Sequence, residues 1–75
     1  MSVLPRISGR QAVAALAKLG YEKDRQKGSH IILRQTVAPH RRLTVPDHKE
    51  LATGTLRAIV RQAGLTVEEF NALLN

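Results

Sequence analysis

Cysteine is missing from these 75 residues, and so is tryptophan. Without thiols there is no disulfide staple and no thiolate metal site. Aromatic bulk is equally scarce, at one Phe and one Tyr. The core must therefore come from Leu, Ile, Val and Ala. Acid is short as well, with six Asp and Glu against twelve Lys and Arg. No apolar run approaches the ~18 residues of a membrane span. The opening MSVLPRISGR has no apolar stretch of signal-peptide length. These absences point to a cytoplasmic protein with no membrane partner.

What the chain does have is positive charge. The balance is +6 at neutral pH, and most of the cations are arginine, whose planar fork suits phosphate. Nucleic acid is the leading class of partner, ahead of an acidic protein. At 43% apolar residues, a chain this short is sized for one small domain, here residues 1–75.

The elements can be read from local signals. Ser8 and Gln11 form a capping box, followed by a helical stripe of Ala12, Val13, Leu16 and Leu19, with Gly20 as the stop. YEKDRQK (residues 21–27) has almost no alternation and reads as a charged edge strand. GSHIILRQTV is a clear strand after its Gly28-Ser29 turn. Alternation puts His30, Ile32 and Arg34 on one face and Ile31 and Leu33 on the other. A one-residue register shift would exchange the faces, so the side His30 occupies is left open. RLTVP is a third strand with Leu43 and Val45 on one face, ended by Pro46. DHKELATG reads as a polar loop. Thr53 is the expected cap of a second helix carrying Leu56, Ile59, Val60 and Ala63, stopped by Gly64. Thr66 and Glu69 make a second capping box for a third helix, with Leu65 and Phe70 at the staple positions. The predicted architecture is α+β. It is an α-β-β-β-α order with an antiparallel three-stranded sheet, covered on one face by two helices, plus a short C-terminal helix.

The residue with the most chemistry is His30. It follows a turn and opens a strand, with Arg25, Lys27 and Arg34 nearby. An imidazole moves protons near neutral pH. Beside cations at a phosphate, it is what acid–base cleavage of RNA through the 2′-OH needs, without a metal. The plainer alternative is a histidine that hydrogen-bonds the turn or a phosphate. Gly28 is a turn glycine that, without a Cβ, also lets backbone approach a phosphate, and Ser29 either donates a hydroxyl or only shapes the turn. Arg57 and Arg61, four apart on the second helix, form a basic shoulder that is either solvated or touches phosphate. His48, with Asp47 and Glu50, is too closely spaced for a convincing metal site. His40 sits at a presumed loop tip. No metal or cofactor is expected.

LGYEKDRQKGSHIILR together with LTVPDHKELATGTLRAIVRQAGLTVEEF resembles the HicA toxins of type II toxin–antitoxin systems, roughly from Ile7 to Phe70. The matching features are Gly20, Gly28-Ser29-His30, Val45-Pro46 with His48, and Gly54-Thr55-Leu56 through Gly64-Leu65. Ile31 departs from a position that is often polar, and Glu22-Lys23-Asp24 replaces residues that are commonly apolar. The resemblance implies a fold like the double-stranded-RNA-binding domain (dsRBD-like). It implies an mRNA interferase, an endoribonuclease that cuts transcripts to arrest translation and growth. His30 would be its catalytic histidine, and a HicB-type antitoxin would neutralise it. The alternative is a non-catalytic RNA-binding module of the same fold.

Overall fold

The computed structural model describes residues 3–74. The first helix, α1 (Gly9–Ala17), starts at the expected capping box. The Ser8 hydroxyl accepts from the Gln11 N–H at 3.0 Å, and the Gln11 side chain accepts from the Ser8 N–H at 2.8 Å. Two of the helix's orphan donors are thereby satisfied. Ala12, Ala15 and Leu16 are buried and Val13 half-buried. Leu19 does not belong to that stripe. The helix ends two residues before it, so Leu19 lies in the closing turn and is 39% exposed. Gly20 completes that turn at φ 88°, a backbone state that costs little only without a Cβ.

Three strands follow: β1 (Tyr21–Lys27), β2 (His30–Gln35) and β3 (Arg42–Pro46). They pair antiparallel in the order β1-β2-β3, so YEKDRQK is an edge strand as its charge implied. A bulge between Lys23 and Arg25 leaves Asp24 out of the ladder. The extra residue resets which side chains point to which face. β1 and β2 meet through a two-residue turn in which Gly28 has φ 57° and Ser29 is not positive, the pattern of a type II′ hairpin.

α2 (Thr53–Gln62) and α3 (Val67–Leu73) close the chain. Thr53 is not the cap of α2. Ala52 holds that position and gives no side-chain hydrogen bond. α3 begins as expected, with Thr66 and Glu69 bonded reciprocally. The supposed polar loop before α2 hides a core residue. Leu51 is buried, and its N–H donates to the Ile7 carbonyl at 2.8 Å.

All three helices lie on one side of the sheet. Leu16 of α1, Leu56 of α2 and Phe70 of α3 join Leu33 and Val45 as fully buried side chains. Ile31, Leu43, Ile59 and Val60 belong to the same apolar cluster. Each such burial contributes on the order of 1.5–3 kcal/mol. The α+β order and the sheet covered on one face agree with the dsRBD-like expectation. The sheet's other face is left open.

Candidate nucleic-acid interface

The open face is assembled by register. Because Ile31 and Leu33 are drawn into the core, His30, Ile32 and Arg34 must face the other way. The face left open by the alternation is thus the open face of the sheet, and His30 is exposed on it. On β3 the same logic turns Arg42 and Thr44 outward, opposite Arg34 and Ile32. On β1 the bulge brings Arg25 and Lys27 into phase, opposite Ile32 and His30. Without that extra residue, both cations would sit on the helix side.

One face therefore carries His30, Arg25, Lys27, Arg34 and Arg42, with Glu22 opposite Arg34. His30 stands between Lys27 and Pro46. Arg34 and Arg42 are directly opposite one another, a like-charge pairing that disfavours the free sheet. A polyanion would relieve it.

The Gly28-Ser29 turn is tied to the end of β3. The Asp47 N–H donates to the Ser29 carbonyl at 2.6 Å. The Gln26 amide donates to the Gly28 carbonyl at 3.0 Å and to Asp47 Oδ2 at 3.3 Å. Asp47 also accepts from Arg10 Nε at 3.1 Å and Nη2 at 3.4 Å. Hydrogen bonds from Arg10 hold the Asp47 carboxyl below its ordinary range, and Asp47 in turn raises the Arg10 guanidinium. The two motifs that the sequence singled out, Gly28-Ser29-His30 and Val45-Pro46-Asp47-His48, thus meet in space.

Other candidates lie elsewhere. Arg57 and Arg61 are exposed on α2, in the helical layer on the opposite side of the sheet from His30. They line a cleft of about 310 Å³ with Val60, Leu65, Thr66 and Val67. His48 is exposed beside Ser8, Arg10 and Lys49 at the start of α1. His40 bonds the Gln35 carbonyl through Nδ1 at 3.1 Å. Among the described residues, no three His, Cys, Asp or Glu side chains gather as a metal site. No helix among them is long and apolar enough to cross a membrane. The sequence reading omitted Arg42, although the inward Leu43 and Val45 already required it to point outward. It also omitted the Arg10–Asp47 contact, which has no local signal.

Over residues 9–65 the chain matches the family model described as "HicA toxin of bacterial toxin-antitoxin". No curated protein matches it. The matched span runs from the first residue of α1 through the sheet and α2 to the residue after Gly64, so it contains both motifs and the open basic face. The chain belongs to the HicA toxin family, the toxin component of a toxin–antitoxin system.

Proposed function

We propose that this toxin is a metal-independent endoribonuclease that cuts mRNA on the open face of its sheet, with His30 as the general acid or base. The observation that carries this reading is His30 itself. It opens the central strand on an uncovered face, paired with Lys27 and sharing that face with three arginines. A phosphodiester held there has an imidazole for proton transfer and cations for the charge that develops on phosphorus.

The step is a transesterification. The 2′-oxygen of the RNA attacks the adjacent phosphorus, and the bond to the 5′-oxygen breaks. The 2′-OH loses its proton to the imidazole or to water, and the leaving oxygen gains one. The products are a 2′,3′-cyclic phosphate and a 5′-OH end. DNA lacks the nucleophile and is not cut. Gly28 and Ser29 bring backbone close to the phosphate. Arg25, Lys27 and Arg34 contact neighbouring phosphates, and Arg42 joins them. Arg57 and Arg61 enter as a second, separate cationic patch in the helical layer. The antitoxin partner is of the HicB type and acts by covering the open face.

A second reading has one observation in its favour. The cross-strand neighbours of His30 are Lys27 and Pro46, and neither is a carboxylate or a second imidazole. On that reading the face binds RNA without cutting it.

The deciding experiment incubates purified protein and His30→Ala with single-stranded RNA in EDTA. Wild type should cut, and the variant should bind without cutting and melt at the same temperature. Wild type that binds RNA but leaves it intact, free of copurified antitoxin, establishes the binding-module reading instead.

A further inference from the structure

Two links run from Asp47 to the turn that presents His30, and a third runs to α1. The Asp47 N–H holds the Ser29 carbonyl. Its carboxylate accepts from the Gln26 amide, which also holds the Gly28 carbonyl. The Gln26 side chain is oriented in turn by Lys23 Nζ, which donates to its oxygen at 3.0 Å. Asp47 is itself clamped to the beginning of α1. Arg10 makes a two-point contact with its carboxylate, and the Gly9 N–H donates to the carbonyl of the next residue, His48, at 2.9 Å.

We infer that Asp47 is a positioning residue, which couples the Gly28-Ser29 turn to α1 and thereby fixes His30 on the open face. The physical need is clear. His30 sits at the junction of a two-residue turn and a strand end. The backbone ladder and these contacts hold that turn in place. Gly28 has nothing within 4 Å of where a Cβ would be, so packing does not restrain it. The Arg10 side chain is 80% exposed, and exposed ion pairs add little to stability. The network's effect is therefore on geometry more than on folding. A displaced catalytic group can cost about a hundredfold in rate for a shift near 1 Å.

The kinetic arm of the test rests on the ribonuclease reading, and the dynamic arm does not. Backbone ¹⁵N relaxation is measured on wild type, Asp47→Ala, Asp47→Asn and Gln26→Ala without RNA. Order parameters at Gly28, Ser29 and His30 should fall in Asp47→Ala from the rigid range of ~0.85 toward ~0.6. Leu33 and Leu56 should stay rigid. Asp47→Asn, which keeps one side-chain acceptor, should lie between. If Asp47→Ala does not fold, Gln26→Ala removes the side-chain arm alone and is read the same way. A turn that stays rigid in every folded variant overturns the inference.

On single-stranded RNA, Asp47→Ala should lose about tenfold or more in kcat, with KM within about twofold, as expected when positioning and not binding is lost. Glu68→Ala, at the distant start of α3, carries the same charge change and should match wild type. Equal kcat for Asp47→Ala and wild type overturns the inference. Wild type that cuts no RNA overturns the ribonuclease reading, and the relaxation result then decides the role of Asp47 by itself.

Discussion

At the scale of single residues, two glycines sit at the starts of two helices and have opposite needs. Gly9 is buried where α1 meets the end of β3. A Cβ there would collide with the Pro46 carbonyl oxygen and come within 3.3 Å of the Asp47 Cα. Both obstacles are backbone, so no side chain can rotate away. Gly54, in the first turn of α2, has nothing within 4 Å, and its φ is not positive. Gly9→Ala should therefore destabilise the fold by about 1–3 kcal/mol, the usual range for overpacking. Gly54→Ala should stabilise it by about 0.5–1 kcal/mol, because it restrains the unfolded chain and favours helix. Urea unfolding of the two variants checks both signs at once. A Gly9→Ala protein as stable as wild type would mean that the clamp between α1 and the strand end is loose.

At the scale of elements, α2 is the helix that starts without help. α1 and α3 each open with a capping box, while α2 has Ala52 at its cap and no side-chain bond. Ala52→Ser or Ala52→Asp should add about 0.5–2 kcal/mol by satisfying one exposed N–H. Thermal melting reads the gain, and an unchanged midpoint would show that those donors are already well solvated. The same contrast explains what the sequence revealed. Capping boxes, turn glycines and strand alternation work over two to four residues, so Ser8–Gln11, Thr66–Glu69, Gly20, Gly64 and the β2 pattern were all legible. The α2 cap was misplaced by one residue because Thr53 has the better side chain, yet the helix already includes it. Leu19 matched the helical period but fell beyond the helix end. Leu51 was concealed by polar neighbours. The bulge at Asp24 had no signal in a strand of charges, although it decides where Arg25 and Lys27 point. Arg10 and Asp47 are 37 residues apart, and no local pattern joins them. His30 was found as a chemical residue, but its face required the whole sheet.

At the scale of the molecule, six of the twelve Lys and Arg stand on two separate surfaces. The open sheet face carries Arg25, Lys27, Arg34 and Arg42 against Glu22. The helical layer carries Arg57 and Arg61 beside their cleft. Counterion release separates them. Binding to single strands weakens with salt by about 0.7 log units per log unit of salt for each phosphate neutralised. Four cations on the open face give a slope near −3, or about −2 if Glu22 cancels one contact. Arg34→Gln with Arg42→Gln should make the slope shallower by about 1.4 and weaken binding of all RNA sequences alike, because phosphate contacts carry no base information. The unbound double variant should change little in stability, since it removes both the Arg34–Arg42 repulsion and the Glu22–Arg34 attraction. Arg57→Gln with Arg61→Gln reports on the other surface. Titrating labelled single-stranded RNA at several salt concentrations with wild type and both pairs assigns the footprint. A slope that moves only with the α2 pair would put the RNA on the helical layer, away from His30, and would overturn the role proposed for the open face.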